Sequence, residues 1–177
     1  MPIRPPPSRA LALLACVPLM VSIAVADIPS ASDDCEADLV ERTPSSDFTP
    51  LEDGDVVRHE PTGLEWRRCP EGMDWNGSGC DGFASSMNWQ EALQYADDVD
   101  GWRLPNINEL RSIVERCRRS PAINQQVFPD TPTSNFCSAS PYAGHSDRAW
   151  GVNFYAGHDF WLLKSNGRRV RLVRGGQ

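Results

Sequence analysis

The sequence predicts a single compact α+β domain with two helices, an N-terminal hairpin and a C-terminal three-stranded antiparallel meander. Three observations predict it. Asn88 and Asn106 each stand three residues ahead of a glutamate, Glu91 and Glu109, at the head of an apolar run, which is the pattern of a capping box. Glu60-Pro61-Thr62-Gly63 separates two short extended stretches as a β-turn with Pro second and Gly fourth would. Residues 149–174 alternate apolar and polar side chains across two glycine-containing turns.

At the N-terminus, Arg4 and Arg9 flank an almost wholly apolar run from Ala10 to Val25, and Ala24-Val25-Ala26 is a small-x-small cleavage site. Residues 1–26 therefore read as a signal peptide, with Asp27 as the first mature residue. Leu13-Leu14-Ala15-Cys16 loosely matches a lipobox and is the weaker alternative. The run is nearer the length of a signal core than the ~20 residues of a membrane span. Residues 27–54 are rich in Ser, Asp, Thr and Pro and predict an irregular arm, and a domain is expected over 55–177.

Val56 and Val57 open the hairpin, and Leu64 and Trp66 return on one face. Asp74-x-Asn76-x-Ser78-Gly79 imitates the first half of a calcium loop, but Ser85 stands where a bidentate Glu is needed, so calcium is the weak exception to an expectation of no metal and no cofactor. The first helix opens after Asn88 with Trp89, Ala92, Leu93 and Ala96 as its apolar face. Trp102-Arg103-Leu104 reads as a short strand stopped by Pro105, with Trp102 as core. The second helix then opens at Ile107, its apolar positions being Ile107, Leu110, Ile113, Val114 and Cys117. Prolines from Pro121 to Pro132 are too closely spaced for a helix or central strand.

In the meander, turns at Gly157-His158 and Asn166-Gly167 pair Tyr155 with Phe160 and Lys164 with Arg169. Trp150, Val152, Phe154, Trp161, Leu163, Val170 and Leu172 then share a core face. The opposite face carries Lys164, Arg169 and Arg171 beside Tyr155 and Phe160, with Arg168 in the turn. These six residues are the candidate binding site. Guanidinium forks suit sulfate, phosphate or carboxylate, and the rings can stack on sugars. The competing reading is that acidic side chains neutralise this stripe inside the fold.

Charge makes both readings reasonable. The chain of 177 residues carries a net charge of −7, yet residues 27–100 hold four arginines against 19 acids and residues 101–177 hold eleven cations against five acids. Five cysteines follow the signal. In an exported chain they predict disulfides with one left over. Cys69–Cys80 would close a glycine-rich loop with little core of its own, and Cys35–Cys117 would tie the arm to the anchor helix; Cys117–Cys137 is the alternative to the second pairing. No catalytic residue is expected: nucleophile-elbow, phosphate-loop, dinucleotide and zinc-protease motifs are missing, and Ser138, Ser140 and His145-Ser146-Asp147 lack visible catalytic partners.

Several segments, in order, resemble a known family: Thr62-Gly63-Leu64-Glu65-Trp66, Trp89-Gln90-Glu91-Ala92-Leu93, Trp102-Arg103-Leu104-Pro105-Asn106-Ile107 followed by Glu109-Leu110, Pro121-Ala122-Ile123-Asn124, Phe128-Pro129, Ser140-Pro141-Tyr142-Ala143-Gly144 and Val170-Arg171-Leu172-Val173-Arg174. Together they resemble the C-terminal domain of the Legionella collagen-like adhesin. The resemblance implies a C-type-lectin-like fold, related also to formylglycine-generating enzymes, with binding of sulfated polysaccharide and self-association. The Gly-x-y stalk, the calcium-sugar motifs of true C-type lectins and the catalytic cysteine segment of the enzymes have no match here. Cys137 stands where the family usually has Trp and reads as a packed substitution.

The expectation is an exported, non-enzymatic, adhesin-like bacterial module, periplasmic or extracellular, that binds an anionic polysaccharide or other cell-surface polymer. An envelope protein that binds another protein is the alternative, and an uncharacterised enzyme the third. Oligomers are compatible with this reading; nucleic acid is not an expected partner.

Overall fold

The computed structural model describes residues 1, 35, 36 and 38–176. The expected cleavage site, the lipobox cysteine and all but the first residue of the expected signal lie outside the described residues. No described helix is long and apolar enough to cross a membrane.

The fold is α+β, with its elements in the order β1 (Phe48–Leu51), β2 (Val56–His59), β3 (Leu64–Arg67), β4 (Met73–Trp75), β5 (Cys80–Gly82), α1 (Trp89–Asp98), α2 (Ile107–Ser112), β6 (Asn135–Pro141), β7 (Arg148–Asn153), β8 (His158–Leu163) and β9 (Val173–Arg174). They make an antiparallel sheet β1-β2-β3-β9, a ribbon β4-β5 and a meander β6-β7-β8. The predicted hairpin is β2-β3, with Val57 opposite Trp66 and His59 opposite Leu64. Gly63 takes φ 68° in its turn, the left-handed region that a side chain would resist.

Both predicted capping boxes form. Asn88 Oδ1 accepts from the N–H groups of Gln90 and Glu91 while Glu91 accepts from Asn88 N–H; Asn106 and Glu109 repeat the arrangement in α2. The α2 helix stops at Ser112 rather than running toward Cys117. The physical reason is a competing long-range bond, since Glu115 N–H donates to Ala122 C=O at 3.0 Å and turns the chain back. Ile113, Val114 and Cys117 are still buried, from irregular backbone. The arm is likewise more ordered than predicted: Phe48–Leu51 is a strand against β2, because Phe48 buries its ring against His59 and Phe128.

The meander contains different strands from those expected. Its first strand is β6, which no sequence signal marked, and its third predicted segment does not pair with β8: Arg168 bridges Met87, Arg169 bridges Phe136 of β6 in parallel, and Val173 and Arg174 pair with β3. In the β7-β8 hairpin Asn153 faces His158 across a four-residue turn, so Trp150 pairs with Trp161 and Gly151 with Phe160, displacing the predicted register. Gly157 sits at φ 72°, and a Cβ there would lie 2.8 Å from Val114 Cγ1.

Both faces of the meander contribute to a core. Phe136 and Val152 pack into a core with Leu110 of α2, Ile123, Phe128 and the first sheet's Val57, Leu64 and Trp66. Cys137, Ala149 and Leu162 point the other way, into a second core with Ala92 and Ala96 of α1, Leu104, Val170 and Leu172. Trp102 is only half-buried, against the core expected for it: Arg67 and Arg174 lie over its ring at 5.1 and 4.6 Å. Disulfides join Cys69 to Cys80 and Cys35 to Cys117, leaving Cys137 free and buried, its thiol pushed up to about 12 by desolvation.

Candidate binding surface

The six residues expected to form one stripe separate in the fold. Arg171 is wholly buried, not on an outer face. Its guanidinium donates to the carbonyls of Arg67 and Arg68 and to Thr131 Oγ1, and lies 4.9 Å from the Phe128 ring centre. Burial pulls its pKa down to about 9, with the Glu71 carboxylate acting in the opposite sense. Once residues 170–173 leave the meander and run between the two cores, their alternation no longer sorts them into an inner and an outer face. Tyr155 is exposed in the β7-β8 turn, while Phe160 packs against the second core.

Lys164, Arg168 and Arg169 do come together, along the segment that leads into α1. Lys164 C=O accepts from Trp89 N–H at 2.9 Å, Arg168 exchanges backbone bonds with Met87, and Arg169 Nη1 donates to Ala84 C=O. Lys164 Nζ stands 4.1 Å over the Trp89 ring, which is held by Nε1 donating to Ser138 C=O at 2.9 Å. An opening of about 430 Å³ lies beside them, lined by Asn88, Trp89, Gln90, Lys164 and Ser165.

Pairing separates these three cations from six others of the C-terminal half; of the remaining two, Arg171 is buried and Arg116 lies on the segment after α2. Arg103 pairs with Glu109, Arg111 with Asp159, Arg118 with Glu41, Arg119 with Glu36, Arg148 with Asp147, and Arg174 with Glu52 and Glu65. Among the described residues Lys164, Arg168 and Arg169 form no ion pair. Internal neutralisation therefore accounts for much of the basic half and leaves this corner positive.

The same end of the meander carries an aromatic surface that the sequence placed in the core. Trp161 is 44% exposed and Leu163 38%, on the edge strand β8. Arg148 lies 3.8 Å over the Trp161 ring, and Tyr142 meets Trp150 edge-on at 4.9 Å. Alternation correctly put Trp150, Val152 and Trp161 on one face. It could not reveal that α2, only six residues long, covers the Val152 end and not the tryptophan end.

Elsewhere, the polar residues singled out in the sequence have structural partners. Ser138 Oγ donates to Trp150 C=O and Ser140 Oγ accepts from Ile107 N–H. Asn76 Oδ1, in the calcium-like segment, accepts from Ser78 N–H, Ser78 Oγ and Gly79 N–H. Cys35, Glu115 and Cys117 place ligand-type atoms within 4.8 Å of one another, but the two sulfurs are bonded together and both Glu115 oxygens accept hydrogen bonds. A second cleft, of about 300 Å³, is lined by Asp55, Arg67, Glu71, Asp74 and Trp75 among others. Glu71 is buried there; desolvation raises its pKa, opposed by the hydroxyl of Tyr95 at 2.7 Å and by Arg67.

Comparison with curated proteins gives no match. The model of the Lcl C-terminal domain matches residues 55–174, which span the hairpin, both helices, the meander and β9. The chain therefore belongs to the Lcl C-terminal domain family.

Proposed function

We propose that this chain is an exported, adhesin-like binding module, not an enzyme, and that it holds an anionic carbohydrate polymer at the corner formed by Lys164, Arg168, Arg169 and Trp89. The observation that carries this reading is that, among the described residues, these three cations cluster beside Trp89 without a carboxylate partner, in a half-domain where six other arginines have one. Lys164 over an anchored indole supplies an ammonium and an aromatic edge at one place, beside an opening. The family match supports an adhesin-like role, and two disulfides and the lack of a spanning helix among the described residues are compatible with export. Binding of this kind weakens with salt, since exposed charges are screened within roughly 8 Å at physiological ionic strength.

The test uses immobilised heparin and its desulfated counterpart. Lys164→Ala with Arg168→Ala should keep the wild-type Tm, weaken heparin binding about tenfold, near 1.4 kcal/mol, and flatten its salt dependence. Unchanged binding by a folded double variant would overturn the assignment. A second reading, a protein partner seated on Trp161 and Leu163, is favoured by the exposure of both on the edge strand β8. Trp161→Ala separates the two, since it should leave heparin binding unchanged.

A further inference from the structure

Residues 42–51 precede the matched domain, yet the domain holds them as if they were part of it. Glu115 is wholly buried, and its Oε2 accepts from the N–H groups of Arg42 and Thr43 at 2.7 and 2.6 Å and from Thr43 Oγ1 at 2.9 Å. Asn124, also wholly buried, donates to Thr43 C=O and Ser45 Oγ, both at 3.0 Å. Farther along, β1 adds to the open edge of β2, with Phe48 in the core. Most of this recognition reads backbone, so it depends on an extended segment being present and not on that segment belonging to the same copy.

The link between this segment and the domain is tight and conformationally costly. Glu52, Asp53 and Gly54, the turn between β1 and β2, have φ of 50°, 55° and 90°, and two of the three are residues that resist the left-handed region. Extending the turn would relieve that strain and carry β1 away from its own β2. A covalent bond adds to these contacts in holding the segment in place: Cys35 is bonded to Cys117, two residues from Glu115.

We infer that the β2 edge and the Glu115–Asn124 groove form a strand-receiving site, filled in cis by residues 42–51 while the Cys35–Cys117 bridge is closed, and filled reciprocally by the same segment of a second copy once that bridge is open. A strained short hinge and a self-complementary acceptor are the conditions under which identical elements exchange. Opening requires a dithiol reductant, which delivers two electrons and two protons to make two cysteine thiols and is itself oxidised to a disulfide.

The experiment mixes two full-length variants, Cys35→Ser and Cys117→Ser, unfolds them together and refolds them under oxidising conditions. Exchange places Cys35 of one variant beside Cys117 of the other. The expected product is a covalent heterodimer on a non-reducing gel, with a Cys35–Cys117 peptide spanning the two copies. A second measurement avoids refolding: native wild-type protein with dithiothreitol should change from monomer to dimer mass as concentration rises, and Glu52→Gly with Asp53→Gly, which relaxes the hinge, should move it back toward monomer. Monomers alone in both experiments, or a heterodimer bridged only through Cys137, would overturn the inference.

Discussion

Arg171 and Glu71 show how far burial changes what a charged residue can do. With no exposure, Arg171 serves as a clamp, joining the backbone after β3 to Thr131 through three bonds. Its removal leaves buried acceptors unmatched, so Arg171→Ala should destabilise the fold by about 3 kcal/mol or more, measured by chemical denaturation. Glu71 has the opposite effect at neutral pH. Its folded pKa is raised, chiefly by desolvation, so its contribution to stability is full below the ordinary carboxylate range and is lost as pH rises through the folded value. Glu71→Gln cannot ionise and retains an oxygen for Tyr95. It should flatten the stability–pH profile above that range and match or exceed the wild-type Tm at pH 7.

Among the elements, the helix starts were the most legible because a capping box is local chemistry, with donors and acceptors all within four residues. With only six residues, α2 has little hydrogen bonding of its own to fall back on, and Asn106 accepts two of its orphan N–H groups. Asn106→Ala should cost about 1 kcal/mol, lowering Tm by roughly 3 °C in a domain of this size. The meander was legible as alternation but not as register. Asn166-Gly167 resembles a two-residue hairpin turn, but the chain beyond it is captured by Met87 and by β6, whose sequence separation no local pattern encodes. Half of the candidate site was lost to register: Arg171 went inside with the captured segment, the four-residue β7-β8 turn parted Tyr155 from Phe160, and Lys164, Arg168 and Arg169 stayed together through pairings that were not the predicted ones.

At the scale of the molecule, the two disulfides act on different lengths of chain. Cys69–Cys80 spans 11 residues and Cys35–Cys117 spans 82. On chain-entropy grounds the longer loop is worth roughly 4 to 5 kcal/mol and the shorter about 3. Cys35→Ser with Cys117→Ser should therefore lower stability more than Cys69→Ser with Cys80→Ser, as read from denaturant midpoints at low protein concentration, where monomers prevail. The longer bridge also fixes the arm whose Thr43 and Phe48 are buried in the domain, so one covalent bond reaches across the boundary of the family match.

The sequence alone determined the family, the fold class, both helix starts and the β2-β3 hairpin, because each rests on short-range chemistry or on an ordered set of motifs; it favoured the pairings Cys69–Cys80 and Cys35–Cys117 but left Cys117–Cys137 open, which the fold decided. Only the tertiary structure decided which cations reach solvent, which end of the aromatic face is covered and where the last segment of the chain pairs. Those outcomes depend on competition for backbone partners and on the reach of a neighbouring helix. Arg169 and Arg171, two residues apart in an alternating run, illustrate the difference: one remains half-exposed beside Ala84, and the other is enclosed between two cores.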